Sequence, residues 1–201
     1  MTTTTPPQTH DDLGRRRFTT TDLALIASFA ALISACAYVG SIPVGGAAVP
    51  ITLQTFGILL AGFVLGPVRG FLAASLYLVL GAVGLPVFAE HSAGLGAFTG
   101  IAWGYLWSFP FIALLAGLLV VVASRAAGPT RAFVVFLCGL PAVLLNHGLG
   151  ITGMKLHEDV SWTTAAGWDA PFWVGDLFKL AVAALIAAEV HRAFPALLRR
   201  R

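Results

Sequence analysis

Long stretches of the chain contain no charged side chain, and within them apolar residues follow one another without alternating with polar ones. A run of about 20 such residues crosses the hydrocarbon core of a bilayer as an α-helix, because a helix satisfies its own backbone hydrogen bonds. The pattern therefore predicts membrane-spanning helices and not strands. The uncharged stretches are residues 23–68, 70–89, 92–124 and 132–154.

Glycine and proline divide these stretches further, at residues 41–46, 66–67 and 128–129. Proline interrupts the hydrogen bonds of a helix, and glycine permits a sharp turn. Residues 154–170 are too polar to span, so we predict that they form an outside loop. The resulting expectation is an all-α integral membrane protein with six transmembrane helices, near residues 20–40, 50–65, 69–85, 99–123, 131–153 and 171–192.

Composition supports the membrane assignment. Of the 201 residues, 58% are hydrophobic and only 10% are charged, whereas a soluble domain carries about 25% charged residues. We expect one transmembrane domain at residues 20–192, a disordered cytoplasmic tail at 1–19 and a basic cytoplasmic terminus at 193–201. Three arginines before the first apolar run could instead open a signal peptide, but five further spans favour an uncleaved anchor.

The 12 Lys and Arg residues set the expected orientation through the positive-inside rule. With six helices and both termini in the cytoplasm, Lys155 lies in an outside loop and Lys179 lies within the sixth helix. We therefore predict a multi-pass protein of a bacterial cytoplasmic (inner) membrane. The other ten basic residues then lie on the cytoplasmic side: Arg15, Arg16, Arg17, Arg69, Arg125, Arg131, Arg192, Arg199, Arg200 and Arg201.

Several function classes lack the residues that they need. The basic residues do not cluster with aromatic side chains, which argues against nucleic acid in spite of a pI near 9.2. Cys36 and Cys138 lack CxxC spacing, so we expect neither a disulfide nor a metal site. No GxxxxGK[ST] sequence occurs, and we expect no nucleotide site and no other cofactor in this chain.

An acid and a base occur together inside the predicted sixth helix. Asp176 and Lys179 are three residues apart and share one helical face. A charge inside the bilayer costs a few kcal/mol at least, so such residues indicate function. The pair could bind a small ligand with both hydrogen-bond donors and acceptors, or it could be a structural ion pair.

Other polar and aromatic residues extend this candidate site. Gln54 opens the second helix, and Asn146 and His147 lie in the fifth, where hydrogen bonding between helices is the alternative interpretation. Phe88 begins a small-residue loop that could cover a pocket. Trp103 and Tyr105 could line it, although an interfacial aromatic belt explains such residues equally. We include Gln54, Phe88, Trp103, Tyr105 and Asn146 with the charged pair as the ligand-binding site.

The first helix carries a stripe of small side chains. Ala27, Ala31 and Ala35 recur at every fourth residue and so lie on one face. Small residues let two helices approach closely in a membrane. The spacing fits either internal packing or a docking surface for another membrane protein.

Five segments, in order along residues 20–192, together resemble the BioY family, the biotin-binding substrate components (S components) of energy-coupling factor (ECF) transporters. The resemblance implies six helices and a biotin site near the outer face. Where relatives often have a glycine-rich loop containing arginine, this chain has Glu90, His91 and Ser92. The segments are VPITLQT at 49–55, LLAGFVLGPVRG at 59–70, LYLVLGAVGLPVFA at 76–89, GYLWSFP at 104–110 and APFWVGDLFK at 170–179.

The resemblance also implies roles and partners. Asp176 and Lys179 match the family's G-D-x-x-K and would hydrogen-bond biotin, with Gln54 near the pocket. The small-residue face of the first helix would dock onto a transmembrane coupling protein, which connects to ATPase subunits. Apart from the resemblance, we also consider a homo-oligomer.

Two other classes remain as alternatives to a biotin-binding component. An intramembrane enzyme would need paired carboxylates or several histidines that converge in the membrane. A stand-alone transporter or channel for another small metabolite would need a polar path through the whole bilayer.

Overall fold

Six α-helices make up the fold in the computed structural model, which describes residues 18–39, 41–42, 49–123, 131–195 and 197. Within these residues one antiparallel bridge, between Ile42 and Ile51, is the only β-type pairing. The predicted all-α class and the number of helices are confirmed. The helices are α1 (Thr20–Tyr38), α2 (Gln54–Leu65), α3 (Pro67–Ala82), α4 (Trp103–Ala123), α5 (Arg131–Glu158) and α6 (Trp162–Ala193).

Some predictions fall on residues that the structure does not describe. These are the three arginines at 15–17, most of the tail predicted at 1–19, the glycines at 45–46, Arg125, the break at 128–129 and most of the basic terminus at 193–201.

The predicted polar loop at residues 154–170 is wrong. α5 continues to Glu158 and α6 begins at Trp162, so only a short turn with a positive φ of 50° at Asp159 separates them. Ser161 caps α6 by accepting a hydrogen bond from the backbone N–H of Thr164. Residues 154–158 form the last turn of α5, and residues 162–170 form the first turns of α6. Pro171 therefore lies inside α6 and not at its start.

α2 and α3 form a tight hairpin. Gly66 joins them with a φ of 80°, which is accessible to glycine, and Pro67 occupies the first turn of α3. A Cβ atom on Gly117 of α4 would lie 2.6 Å from the Gly66 carbonyl carbon and from the Pro67 nitrogen. The hairpin therefore packs directly against the backbone of α4.

Helix length explains where space for a ligand arises. Among the described helices, α1, α4, α5 and α6 are long and apolar enough to cross a membrane, whereas α2 has only 12 residues and α3 only 16. Twelve residues rise about 18 Å, well short of a hydrocarbon core of about 30 Å. α2 is also buried along almost its whole length. A short central helix surrounded by longer ones leaves a gap at one end of the bundle.

Arg69 ties the opposite end together. Its guanidinium is buried and hydrogen-bonds to the carbonyl oxygens of Leu65 and Leu197 and to Asp22 of α1. These contacts connect α1, α2, α3 and the residues after α6. Arg69 belongs to the set of basic residues predicted to face the cytoplasm. The gap at the opposite end of the bundle, which we call the gap above α2, therefore lies at the end predicted to face out of the cell.

Candidate functional site

A cavity of about 230 Å³ occupies the gap above α2. Its walls come from residues 49–52, from the first two residues of α2, from the segment at residues 83–102, which we call the lid loop, and from α4, α5 and α6. Six of the seven residues predicted to bind ligand line it together: Gln54, Phe88, Tyr105, Asn146, Asp176 and Lys179.

The charged pair lies on the cavity wall. Lys179 Nζ donates to Asp176 Oδ1 over 2.7 Å, and both side chains are at least nine-tenths buried. The second oxygen, Oδ2, is not engaged by Lys179. Buried charges are costly unless they are paired and hydrogen-bonded, and here the remaining donor and acceptor capacity adjoins the cavity. The pair can therefore offer a ligand both an anionic acceptor and a cationic donor.

Gln54 is fixed at the start of α2 by two neighbours. Thr52 donates its hydroxyl to Gln54 Oε1 over 2.8 Å, and Gln54 Nε2 donates to the hydroxyl of Tyr77 in α3. All three side chains are buried. These hydrogen bonds hold the amide rigidly at the floor of the cavity, which preorganises it for a polar ligand.

Asn146 is positioned by α4. Ser108 Oγ lies 2.7 Å from the Asn146 amide and 2.6 Å from the Tyr105 carbonyl oxygen. A hydroxyl can donate one hydrogen and also accept, so Ser108 holds one end of the amide and leaves the other end for the cavity that Asn146 lines.

Phe88 anchors the lid loop over the cavity. Its ring is only 2% exposed and makes edge contacts with Tyr77, at a centroid distance of 5.5 Å, and with Phe98, at 5.7 Å. A Cβ atom on Gly81 of α3 would lie 2.1 Å from Phe88 Cζ, so the ring fills the space that glycine leaves. Gly94 is tied back by a 2.7 Å hydrogen bond to the Gly81 carbonyl.

The lid loop also brings a carboxylate to the cavity wall. Glu90 lines the cavity, and Glu90 and His91 have φ values of 55° and 59°, which non-glycine residues seldom adopt. His91 makes an edge contact with the ring of Tyr38 at the end of α1, at 4.2 Å between centroids. The lid loop is therefore held at both α1 and α3.

Trp103 is not among the residues that line the cavity, and its assignment to the ligand-binding site stays a prediction. A Cβ atom on Gly153 would lie 2.9 Å from the Gly104 Cα and 3.5 Å from Trp103 Cε2, so the start of α4 packs backbone to backbone on α5. This close approach places the Trp103 ring against α5. Tyr105, two residues on, lines the cavity instead.

Asp169 is joined to the cavity wall through Tyr105, and the sequence analysis did not single it out. Its carboxylate is completely buried and accepts hydrogen bonds from the Tyr105 hydroxyl and from Trp173 Nε1, the latter over 2.7 Å. His147 Nδ1 lies 2.7 and 2.9 Å from its two oxygens. Asp169 precedes Asp176 by seven residues, two helical turns, so both face the same way. That spacing was the available signal, and it was lost because Pro171 was taken as the start of the helix.

The stripe of small side chains on α1 faces away from the helical bundle. Ala27, Ala31 and Ala35 are all exposed, whereas Ala30, Ile33 and Ala37 on the other side of α1 pack into the core. Packing against the described part of the bundle therefore does not bury the stripe.

The described residues include no group of three His, Cys, Asp or Glu side chains that could hold a metal ion.

The fold and the cavity together define a class: a multi-pass membrane protein with a cavity suited to a small polar ligand at one end of a helical bundle. A family model described as the BioY family matches residues 8–196. The chain belongs to the BioY family.

Similar proteins of known name agree with this assignment. The chain is 38% identical to "Biotin transporter BioY" of Rhodobacter capsulatus over 90% of this chain and 98% of the relative. It is 37% identical to "Biotin transporter BioY" of Thermotoga maritima over 82% and 92% of the two chains. A crystal structure described as the S-component for biotin from an ECF-type ABC transporter superposes with a TM-score of 0.81 at 25% identity, over 88% of this chain and 95% of that chain.

Proposed function

We propose that the protein captures biotin in the cavity and serves biotin uptake as the S component of an ECF transporter. The observation that carries the proposal is the buried pair of Asp176 and Lys179 on the wall of an otherwise largely apolar cavity. Relatives named as biotin transporters, and an S-component for biotin with the same fold, support the choice of ligand. The protein is a transport component and not an enzyme.

The chemistry of biotin complements the cavity. Its ureido group has two N–H donors and one carbonyl acceptor, and its fused thiophane ring is apolar. We assign the ureido N–H groups to the Asp176 carboxylate and the ureido oxygen to the Lys179 ammonium. Phe88, Phe109 and Phe172 would contact the apolar ring, because all three line the cavity. Gln54 and Asn146 would complete the polar contacts.

Biotin binding is best tested with purified protein in detergent or nanodiscs. We expect saturable binding of radiolabelled biotin at one site per chain. Desthiobiotin, which keeps the ureido group, is expected to compete, whereas lipoate, which has a carboxylate and an apolar ring but no ureido group, is not. Equal competition by lipoate would contradict the assignment of the ureido group to Asp176 and Lys179, and no biotin binding would reject the function.

The remaining partners belong to the same proposal. The chain would lie in the bacterial cytoplasmic membrane, with the cavity at the outer face and Arg69 at the cytoplasmic end. Energy would come from ATPase subunits through a transmembrane coupling protein docked on Ala27, Ala31 and Ala35. The exposure of this stripe supports the docking role.

A substitution that enlarges one member of the stripe tests the docking surface. We expect Ala31→Leu to leave biotin affinity unchanged but to reduce association with the coupling protein, and biotin uptake, by about tenfold, because the added side chain keeps the helices apart. Ala166→Leu, at an exposed position of α6, is the matched control. Pull-down and uptake assays measure the two effects. Unchanged association would place the partner elsewhere, and loss of a self-association signal would assign the stripe to a homo-oligomer.

A further inference from the structure

A second buried acid lies directly behind the proposed biotin contacts. His147 connects it to the first: Nδ1 faces Asp169, and Nε2 lies 3.5 Å from Asp176 Oδ2. His147 and Asp169 are 1% and 0% exposed. Nε2 is completely buried and has no hydrogen-bond partner at an ordinary distance. An unpartnered imidazole nitrogen between two carboxylates requires an explanation, because buried polar atoms nearly always have partners.

The two carboxylates restrict the protonation state of His147. A neutral imidazole has one N–H and one lone pair. If Nδ1 carries the hydrogen, the lone pair of Nε2 faces the anionic Asp176. If Nε2 carries it, the lone pair of Nδ1 faces both oxygens of Asp169 at 2.7 and 2.9 Å. The doubly protonated imidazolium alone can donate to both acids.

Charge balance favours the same state. Asp169 and Asp176 contribute two negative charges and Lys179 one positive charge, so one negative charge remains in a buried region. A net charge is expensive in a medium of low polarity. Among the described contacts of Asp169, His147 is the one side chain that can carry positive charge; the others are Tyr105 and Trp173.

The ring of Trp173 adds a third contribution. It stacks on His147 with a centroid distance of 4.2 Å and an interplanar angle of 11°. The face of an indole attracts a cation, so the stacking stabilises an imidazolium more than a neutral imidazole. Trp173 also donates to Asp169, and a Cβ atom on Gly150 would lie 2.1 Å from the Tyr105 ring, so glycine makes room for the other donor.

We propose that His147 holds a proton at Nε2 as an imidazolium between Asp169 and Asp176, and that biotin binding is linked to this proton. The inference rests on the proposed function, because it assigns biotin to Asp176. The proton comes from the outside water, and no other bond is made or broken. Biotin displaces water from beside Asp176, so a net charge there costs more in the complex, and the neutralising proton is held more tightly. By reciprocity, protonated protein binds biotin more tightly.

Other titratable groups face this cluster and must be separated from His147 by experiment. α2 faces the cavity with Gln54 and Thr55, which do not titrate. The titratable groups are Tyr105 from α4, Asp169, Asp176 and Lys179 from α6, and Glu90 from the lid loop.

The protonation state can be measured without biotin. We expect ¹⁵N NMR of histidine-labelled protein to show both nitrogens of His147 protonated at neutral pH, in a signal that disappears in His147→Phe. A neutral imidazole in that signal would overturn the proposal whether or not the protein binds biotin. The ligand-free measurement therefore separates failure of this inference from failure of the proposed function.

Binding measured against pH tests the linkage. We expect wild-type affinity for biotin to fall about tenfold between about pH 6 and pH 8.5, because each proton bound on complex formation changes affinity by at most tenfold per pH unit. His157→Gln, at an exposed histidine of α5, is expected to keep the same profile. pH-independent wild-type affinity would overturn the linkage alone, whereas no binding at any pH would overturn the proposed function as well.

Two variants assign the profile to His147. Asp169→Asn removes one of the facing charges, so we expect its affinity to be lost at a lower pH than in the wild type. His147→Phe combined with Asp169→Asn keeps the stacked ring and leaves only the balanced pair of Asp176 and Lys179, which protects folding. We expect this double variant to bind biotin with a flat pH profile. A profile like that of the wild type would assign the pH dependence to another group and overturn the proposal.

Discussion

Asp176→Asn is expected to weaken biotin binding by about 30-fold or more, which corresponds to about 2 kcal/mol or more. The substitution keeps the shape of the side chain but replaces an anionic acceptor by a neutral amide, and it leaves the buried ammonium of Lys179 without its counter-ion. Leaving one charge of a buried pair alone costs more than the pair itself contributes. Isothermal titration of biotin into purified variants measures the effect.

Controls separate this loss from misfolding. Glu189 and Arg192 form an acid and base pair with the same three-residue spacing on α6, but both are exposed, so Glu189→Gln is expected to leave affinity unchanged. The double variant Asp176→Asn with Lys179→Met has no unpaired charge from the pair, so it is expected to fold and still to bind poorly. Wild-type affinity in either Asp176 variant would remove this residue from the ligand site.

Gly81→Ala is expected to weaken biotin binding by about tenfold. The added methyl group would lie 2.1 Å from Phe88 Cζ and 2.4 Å from Phe88 Cε1, so the ring must move. Phe88 is buried at the base of the lid loop and lines the cavity, and overpacking such a site costs about 1–3 kcal/mol. We expect a higher biotin dissociation rate, because the lid loop is no longer held down.

Gly148→Ala is the matched control for this substitution. Gly148 also lies within a helix, but a Cβ atom there meets nothing within 4 Å, so affinity and thermal stability should remain near the wild-type values. A Gly81→Ala variant with unchanged affinity and dissociation rate would show that the position of Phe88 does not matter for ligand binding.

The sequence predicts most of this fold because the membrane restricts the possibilities. Uncharged runs define α1 and α4 well, and the glycine and proline at 66–67 define the hairpin between α2 and α3. The sequence does not predict where α5 ends or where α6 begins. Helices extend beyond the hydrocarbon core, and polar residues such as Lys155 and Glu158 are tolerated there in helical conformation. Hydrophobicity marks the part of a helix inside lipid and not where the helix ends.

The candidate site is predictable where a residue is unusual for its surroundings. Asp176 and Lys179 are recognisable because charges are rare inside apolar helices. Asp169 was missed because its neighbours made it look like a loop residue, and its partners His147 and Tyr105 come from α5 and α4. Trp103 could not be separated from Tyr105 by sequence, because the choice depends on the backbone contact between Gly104 and Gly153. Which side chain lines the cavity is decided by packing between helices that are far apart along the chain.

The position of biotin in a structure of the complex tests the central claim most directly. We expect the ureido group within hydrogen-bond distance of the Asp176 carboxylate and the Lys179 ammonium, with the thiophane ring under Phe88. Biotin bound elsewhere on the protein, or with its ureido group turned away from both charged side chains, would contradict the account.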